Sequence, residues 1–196
     1  MRVSDLSPGS VEPLLHGRLG RPYRFVEECA STQHLLDPDE AEGATAATDL
    51  QTHGRGRLGR TWETPPRRAL LFSVLLHPRP PMAIWPELSL VAGDAVAAAL
   101  REQTGVAAEL SHPNDVLIEG RKVAGILPEA SVGRVVLGIG VNVNQTTEEL
   151  PAETPKPATA LRIETGREWP RAPLLAAILL ELDRRYDDWQ RLHTNR

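Results

Sequence analysis

Lysine is almost absent from this chain of 196 residues: it occurs only as Lys122 and Lys156, and the other basic residues are arginines. Because an ammonium and a guanidinium are not interchangeable, each lysine marks a position where the choice of cation can matter. Basic residues are also outnumbered, 22 against 26 acidic ones, which gives a formal net charge of −4. The chain as a whole therefore lacks the positive field that nonspecific nucleic-acid binding uses, and any anion site must be local.

Cysteine and long apolar runs are scarce as well. The single cysteine, Cys29, excludes an internal disulfide, and its apolar neighbours predict a small buried side chain rather than a nucleophile. The longest apolar runs, residues 69–76 and 174–180, are too short to cross a bilayer, and the sequence opens without a basic-then-apolar leader. These absences predict a cytoplasmic protein.

The remaining composition is that of an ordinary globular protein. Hydrophobic residues make up 41% and charged residues 24% of the chain, which argues against disorder and fibrous architectures. A chain of this length can bury one sizeable core, and no internal repeat or linker divides it. We therefore expect a single domain over residues 1–196.

Hydrophobic periodicity predicts a mixture of strands and helices. The strand predictions are residues 23–27, 44–50, 70–77, 107–111, 116–130 with a hairpin turn at 119–120, and 134–144. The helix predictions are residues 11–19, 33–37, 84–103, 158–165 and 170–192. The strands after residue 105 should pair as neighbours. The polar stretch 51–68 has neither periodicity and predicts a long exposed loop, and such loops are usually functional.

This loop carries the strongest local feature, Gly-Arg-Gly-Arg-Leu-Gly-Arg at residues 54–60, followed by Trp62. Glycines at alternating positions let the backbone approach a ligand, and the interleaved guanidiniums supply charge to phosphate or carboxylate oxygens. On its own the motif is also compatible with a solvated basic loop or with an RNA-binding module, although the net acidic charge argues against RNA.

Two further features follow along the chain. Lys122 stands at the start of an apolar strand, where a partly desolvated ammonium could bind a substrate carboxylate and the phosphate bonded to it. Pro113, Asn114 and Asp115 form a turn whose carboxylate could hold Mg²⁺ against nucleotide phosphates. From spacing alone, a turn lysine pointing to water and ordinary turn chemistry also account for them.

Taken in order, these features resemble the catalytic domain of the biotin protein ligase family, over residues 23–189. The hallmarks of that family are a serine-threonine-asparagine step, a GRGRxGRxW loop, a KWPND turn, a KxAGIL strand and a GxGxN strand. They correspond here to residues 31–33, 51–62, 111–115, 122–127 and 138–142. Each element alone is weak, but their joint occurrence in the correct order is specific.

The resemblance implies an α+β fold with a mixed, largely antiparallel sheet flanked by helices, as in class II aminoacyl-tRNA synthetases. It implies a two-step reaction in which biotin and MgATP form biotinyl-5′-AMP, and a lysine of the biotin carboxyl carrier domain of an acyl-CoA carboxylase then attacks the mixed anhydride. The implied small molecules are biotin, ATP and Mg²⁺, with no nucleic acid or membrane partner and a homodimer as one option. We expect no helix-turn-helix before the domain, so a DNA-binding repressor is not expected. We also expect that the small C-terminal β-barrel usual in the family is missing here.

The site residues implied by the resemblance fall into three groups. Those assigned to biotin are Ser31, Thr32, Gln33, Gln51, Gly54, Arg55, Gly56, Arg57, Lys122, Gly125 and Leu127. Those assigned to catalysis are Lys122, Arg55 and Arg57, with Lys122 at the biotin carboxylate and the α-phosphate. Those assigned to the nucleotide are Trp62, Asn114, Asp115 and Asn142. Asp115 is also the expected metal ligand, and Trp62 is expected to face adenine, with plain packing as the alternative.

The sequence departs from the family pattern at the turn. Ser111 and His112 stand where lysine and tryptophan are usual, which removes one cation from the place where triphosphate charge accumulates. Gln33 replaces asparagine, and Pro128 removes a backbone donor just after the lysine strand. The alternatives to an active ligase are therefore a noncatalytic relative that binds biotin or its adenylate, and a ligase or transferase for lipoate or octanoate.

Overall fold

The computed structural model describes residues 4–152 and 154–194, and a seven-stranded sheet organises them. Its strands are β1 Tyr23–Cys29, β2 Thr45–Gln51, β3 Ala69–Leu76, β4 Ala108–Ser111, β5 Asp115–Ile118, β6 Arg121–Ser131 and β7 Arg134–Asn142. They lie in the order β1-β2-β3-β7-β6-β5-β4. Strands β1 and β2 pair in parallel, and the other neighbours pair antiparallel. The expected mixed, largely antiparallel sheet is confirmed, and the strands after residue 105 pair as neighbours.

Helices flank this sheet. The α-helices are α1 Pro8–Val11, α2 Leu88–Thr104, α3 Leu161–Thr165 and α4 Arg171–Thr194. Short 3₁₀ turns lie at Glu12–Leu14, Thr32–Leu35, Arg57–Gly59, Met82–Glu87 and Thr147–Glu149. The two long helices, α2 and α4, pack against each other and against the sheet. Gly93 lets α2 approach β4 closely, because a Cβ there would lie 2.5 Å from Leu110 Cδ1.

The core is centred on β3, whose eight residues are all buried. A run that is apolar except for Ser73 fits a strand covered on both faces, and each leucine or phenylalanine side chain it buries contributes about 1.5–3 kcal/mol relative to exposure. Tyr186 and Trp189 of α4 complete the same apolar cluster, and their rings stack with centroids 6.1 Å apart.

The stretch Met82–Thr104 is long and apolar enough to cross a membrane by length and composition. This segment is different from the apolar runs considered from the sequence, residues 69–76 and 174–180. It is longer than they are because it includes many alanines and a 3₁₀ turn. More than half of it is buried inside the fold, where α2 packs on α4 and on β4. An alanine-rich core helix satisfies the same criteria, and its packing here is that of a core helix.

Several predicted helices begin or end elsewhere in the structure. The helix predicted at residues 11–19 is wrong: α1 ends at Val11, a 3₁₀ turn ends at Leu14, and residues 15–19 are not helical. Asp183 of α4 holds this segment instead, accepting a hydrogen bond from the Arg18 backbone at 2.8 Å. The apolar residues of the segment are buried by tertiary packing, so their spacing mimicked a helix.

Three other predicted helices are shorter in the structure or consist partly or wholly of a 3₁₀ turn. The helix predicted at 33–37 is a 3₁₀ turn, Thr32–Leu35, and that predicted at 84–103 starts with a 3₁₀ turn containing Pro86 before α2 begins at Leu88. The helix predicted at 158–165 starts only at Leu161, because Ala158 forms a parallel bridge with Lys122.

Candidate active site

A cleft of about 480 Å³ opens on the face of β6 and β7 that is turned away from α2. Every residue that the sequence singled out as a site residue lines this cleft except Gly54. They reach it from the 3₁₀ turn after β1, the loop after β2, the turn between β4 and β5, and strands β6 and β7. The structure thus brings the scattered motifs together, while the individual roles remain predictions.

The floor of the cleft is made of glycines. Gly125 of β6 and Gly140 of β7 are direct partners in the sheet, and Trp62 lies on both of them. A Cβ at Gly140 would lie 2.8 Å from Trp62 Cε2, and one at Gly125 would lie 2.9 Å from Trp62 Cζ3. The next pair, Leu127 and Gly138, continues the floor under Gln33, whose amide nitrogen donates to the Leu127 carbonyl at 3.1 Å. Only glycine leaves room for side chains to lie directly on the sheet here.

The substitution Gly140→Ala is expected to lift Trp62 and loosen the loop that carries it, since the added methyl group meets a ring rather than a flexible chain end. Overpacking of this kind costs about 1–3 kcal/mol. Trypsin should then cut faster after Arg57 and Arg60, as measured on the ligand-free protein. Gly9→Ala is the matched control, because a Cβ at Gly9 meets nothing within 4 Å. Equal cleavage rates in the two variants would contradict the expectation.

The glycine-arginine loop closes on itself before it reaches the sheet. The Trp62 backbone donates to the Gly54 carbonyl at 2.9 Å, and the Gly56 backbone donates to the Arg60 carbonyl at 2.7 Å. Gly54 is required at the base of the loop, because a Cβ there would lie 2.1 Å from the Trp62 carbonyl oxygen. Gly54 therefore shapes the loop without lining the cleft. At the tip Leu58 has a φ of 58° and is 90% exposed.

Two guanidiniums fasten this loop across the cleft. Arg55 forms an ion pair of 2.7 Å with Glu129 of β6 and donates to Gln33 Oε1 at 3.3 Å. Arg57 donates to Asn114 Oδ1 at 3.2 Å. Because each contact joins the loop to a different wall, the loop is a flap held closed by its own arginines.

Lys122 reaches the cleft through an irregularity in the sheet. Strict alternation would place Lys122 and Gly125, three residues apart, on opposite faces of β6. The β5–β6 register shifts, however, so that Val116 faces Ala124 while Leu117 faces Lys122, leaving Val123 as an extra residue. A bulge of this kind re-aims the neighbouring side chain. The Lys122 ammonium consequently lies 3.2 Å from the Cβ position of Gly125, on the cleft side.

Lys122 belongs to a charged cluster at one end of the cleft. Its Nζ lies 2.8 Å from Asp115 Oδ1 and 5.4 Å from the ring centroid of Trp62, while Lys156 Nζ lies 3.0 Å from Asp115 Oδ2. Burial by itself raises the pKa of Asp115, but hydrogen bonds and charge attraction from the two lysines outweigh it and hold the pKa below its usual value. Asp115 is therefore ionised at neutral pH.

The opposite end of the cleft holds a buried polar network. Gln51 Oε1 accepts from the Thr32 backbone at 2.9 Å and from Thr32 Oγ1 at 3.2 Å, and Thr32 Oγ1 is also 2.7 Å from Ser73 Oγ. Ser31 is buried beside them. Polar groups grouped this closely inside a fold suit a small ligand with its own donors and acceptors.

Both asparagines assigned to the nucleotide are engaged by the protein. Asn114 donates to the Ile126 carbonyl at 3.0 Å, which fixes the turn to β6. Asn142 donates to the Thr159 carbonyl at 3.0 Å and accepts from Gln145 Nε2 at 2.9 Å. These contacts give each a positioning role, whatever its part in nucleotide binding.

Two buried polar atoms have no partner within the described residues, Trp62 Nε1 and Gln145 Oε1. An unpaired buried donor costs about 1–3 kcal/mol, so such an atom calls for an explanation. Trp62 Nε1 belongs to a side chain that lines the cleft. A ligand with an acceptor oxygen there would satisfy it.

Sequence reasoning missed two residues of this site. Glu129, the partner of Arg55, belongs to no sequence motif, because its role depends on the flap folding over β6. Lys156 was marked only by the rarity of lysine in the chain, which was a usable signal. Cys29 is half-buried rather than buried, and desolvation raises the pKa of its thiol, in keeping with a non-nucleophilic residue.

The sheet topology and its cation-lined cleft define the class of the protein: the fold is that of a biotin protein ligase catalytic domain. The biotin protein ligase of Aquifex aeolicus, solved in complex with biotin and ATP, matches with a TM-score of 0.79 and 36% identity, over 87% of this chain and 72% of that one. The family model described as biotin/lipoate A/B protein ligase matches residues 27–145. The chain belongs to this family.

Curated proteins with similar sequences are also named as biotin ligases or as bifunctional ligase/repressors. The bifunctional ligase/repressor BirA of Bacillus subtilis is 34% identical over 180 residues, covering 87% of this chain and 55% of that protein. The biotin--[acetyl-CoA-carboxylase] ligase of Mycobacterium tuberculosis is 38% identical over 156 residues, covering 77% of this chain and 57% of that protein. The chain thus spans little more than half the length of these relatives.

Proposed function

We propose that this chain is an ATP-dependent biotin protein ligase, which forms biotinyl-5′-AMP and transfers the biotinyl group to a lysine of a biotin carboxyl carrier domain. The observation that carries the proposal is the convergence of two distant segments on one cleft. The Lys122 ammonium lies at the start of β6, and the flap brings Arg55 and Arg57 to the same cleft. A small carboxylic acid bound between them would meet cations on both sides.

In the first step a carboxylate oxygen of biotin attacks the α-phosphorus of ATP, and the bond to pyrophosphate breaks. Negative charge then moves from the carboxylate towards the phosphate oxygens. Lys122 lies where one ammonium can contact both groups, so its attraction grows as the transition state forms. Closure of the flap by Arg55 and Arg57 keeps water from the mixed anhydride.

Magnesium enters this proposal as MgATP. The described residues contain no group of three or more side chains able to hold a metal ion. Magnesium is commonly bound through substrate phosphates with one or two carboxylates, and Asp115 is a carboxylate of the cleft that could complete such a set. Both its oxygens are paired with lysines in this structure, so it would have to exchange one of them.

In the second step the amine of the acceptor lysine attacks the carbonyl carbon of the anhydride. AMP leaves with the bonding electrons, an amide forms, and the amine loses a proton. We include in the proposal the carrier domain of an acyl-CoA carboxylase as acceptor, one catalytic domain over residues 1–196, and the cytoplasm as location, where ATP and such acceptors occur together.

The polar end of the cleft supports biotin over lipoate. The ureido ring of biotin has N–H and carbonyl groups that need partners, whereas the dithiolane ring of lipoate offers none. Thr32, Gln51 and Ser73 form a buried network that could supply them. Biotin could exchange hydrogen bonds with this network that lipoate cannot make, each worth about 0.5–1.5 kcal/mol, so we expect discrimination by at least about tenfold.

The test combines the purified chain with biotin, MgATP and a biotin carboxyl carrier domain. We expect biotin-dependent release of pyrophosphate and a mass increase of the carrier domain by one biotinyl group. Lipoate at the same concentration as biotin, added as competitor, should leave both signals nearly unchanged.

Three results would count against the proposal in different ways. Tight biotin binding without pyrophosphate release would identify a noncatalytic relative, for which the replacement of the usual lysine and tryptophan by Ser111 and His112 is the motivating observation. Competition by lipoate would favour a lipoate enzyme. Failure to bind either acid would show that the cleft does not activate a carboxylic acid of this kind.

A further inference from the structure

The two lysines of this chain meet at one carboxylate, although 33 residues lie between them in the sequence. Lys122 Nζ is 2.8 Å from one oxygen of Asp115, and Lys156 Nζ is 3.0 Å from the other. All three side chains line the cleft. In this cluster of three side chains two ammoniums face one carboxylate, so the cluster carries one formal positive charge.

The backbone fixes Lys156 beside Lys122. The Lys122 backbone N–H donates to the Pro157 carbonyl at 2.7 Å, and the Thr159 N–H donates to the Lys122 carbonyl at 2.9 Å. Ala158 between them forms a parallel bridge with Lys122. The segment that carries Lys156 is therefore attached to the edge of β6 at the lysine itself. Such an arrangement differs from a surface lysine that meets a carboxylate by chance.

Asn142 holds the same segment from the other side. Its side chain donates to the Thr159 carbonyl at 3.0 Å, and it is oriented in turn by Gln145 at 2.9 Å. Both amides are buried. The position of Lys156 is thus determined by main-chain and buried side-chain contacts on two sides.

The Lys156 ammonium also lies 3.0 Å from Ser111 Oγ. Position 111 is where the KWPND turn would carry a lysine, and the short serine leaves that space to a side chain arriving from elsewhere. Lys156 therefore places a positive charge beside Ser111, at the position where the family turn carries its own lysine.

We propose that Lys156 is a phosphate-binding residue of this cleft, which contacts the nucleotide in place of a cation at position 111. This inference rests on the proposed function and deepens it. When triphosphate oxygens enter, the ammonium can turn from Asp115 to them, since a charge-assisted hydrogen bond to phosphate is at least as strong as the one it replaces. Its partner Lys122 is left for the acyl and α-phosphate oxygens.

The test compares four proteins: the unmodified chain, Lys156→Ala, the double variant Ser111→Lys/Lys156→Ala, and the control Arg184→Met. For Lys156→Ala we expect the KM for ATP in biotin-dependent pyrophosphate exchange to rise by about 10- to 100-fold. A rise of this size corresponds to the loss of one charge-assisted hydrogen bond. The KM for biotin should change less than about twofold, since the biotin ring binds at the other end of the cleft. Direct titration with ATP in the absence of biotin should show the same loss.

The double variant separates phosphate binding from a merely structural role. A lysine at position 111 restores the charge at the same place but cannot restore contacts of the segment 154–159. We therefore expect it to recover most of the ATP affinity. Arg184→Met, on the exposed face of α4, controls for the removal of a positive charge from the surface.

Failure of this inference and failure of the proposed function give different results. If the unmodified chain exchanges pyrophosphate and Lys156→Ala has the same KM for ATP, Lys156 binds no phosphate. Equal losses for ATP and biotin, or no recovery in the double variant, would make Lys156 a structural residue and overturn the inference. If the unmodified chain shows no exchange, the proposed function fails, and the direct ATP titrations still decide the role of Lys156.

Discussion

Replacing Lys122 with methionine is expected to lower the rate of adenylate formation by about 100- to 1,000-fold, the loss typical of removing one transition-state donor. Methionine keeps most of the length of the side chain but removes its charge. Because the ammonium should act on charge that moves during the step, the loss should appear in kcat and kcat/KM together and should exceed the loss of affinity for biotin, whose carboxylate the ammonium also contacts.

The fold should survive this change. Asp115 keeps Lys156 at 3.0 Å, so no buried carboxylate is left without a cation. The Lys122 backbone contacts with Pro157 and Thr159 do not involve the side chain. Thermal unfolding followed by circular dichroism should therefore shift by only a few degrees.

The measurement is single-turnover formation of biotinyl-5′-AMP with saturating ATP and biotin. Arg184→Met serves as control, because Arg184 is exposed and far from the cleft on α4, and it should retain the full rate. A Lys122→Met protein that forms the adenylate at the unmodified rate would exclude Lys122 from the chemistry. A variant that is slow but also largely unfolded would show that the ion pair is structural, and the expectation would be equally wrong.

The strands could be predicted because their signals are local. Strand β3 is apolar at every position except Ser73, and β7 is rich in valine and isoleucine, so both sequences indicated strands without any knowledge of contacts. The loop 51–68 was recognisable for the opposite reason, since its glycines, arginines and prolines support neither helix nor strand. The mixed, largely antiparallel character of the sheet came from the resemblance, whereas the order of its strands was not predicted.

The helix predicted at residues 11–19 shows where local reasoning stops. Leu15 and Leu19 are buried, as an amphipathic helix would require, yet they are buried by contact with other elements. Gly17 passes so close to α4 that a Cβ would lie 2.7 Å from Asp183 Oδ2. Leu15 and Leu19 have helical spacing and are buried, yet they do not form a helix. Only the tertiary contacts distinguish this case from an amphipathic helix.

The orientation of Lys122 and the role of Lys156 were beyond the sequence for related reasons. Lys122 faces the cleft because Val123 is an extra residue opposite β5, and nothing in the run 121–127 marks a bulge. Lys156 reaches Asp115 because Ala158 bridges to Lys122. Both facts depend on pairing between segments, whereas motif reasoning treats each segment separately.

The largest expected effect on stability comes from Arg171, which is 2% exposed at the start of α4. Its guanidinium lies 2.7 Å from Asp49 Oδ1 and 3.1 Å from the Ala69 carbonyl, and its Nε donates to Asp5 at 3.0 Å. One side chain thus ties α4 to β2, to β3 and to the N-terminal segment. Truncating one partner of such a buried pair costs about 3–5 kcal/mol.

We expect Arg171→Met to lower the free energy of unfolding by that amount, which for a chain of this size corresponds to a fall in Tm of roughly 6–20 °C. Urea unfolding followed by circular dichroism measures it. Arg184→Met, whose ion pair with Glu181 lies on the surface, should lose less than about 1 kcal/mol. Activity at low temperature should persist, because Arg171 does not line the cleft.

The double variant Arg171→Met/Asp49→Asn identifies the physical cause. Asp49 is 3% exposed, and without Arg171 it keeps Arg67 at 3.1 Å and the Ser4 hydroxyl at 2.9 Å. If the cost of losing Arg171 is an undercompensated buried charge, neutralising Asp49 should recover part of the lost stability, so the double variant should be more stable than Arg171→Met alone. A double variant that is less stable than either single one would show that Asp49 stabilises the fold through its other contacts. The buried charge would then not be the reason that Arg171 is needed.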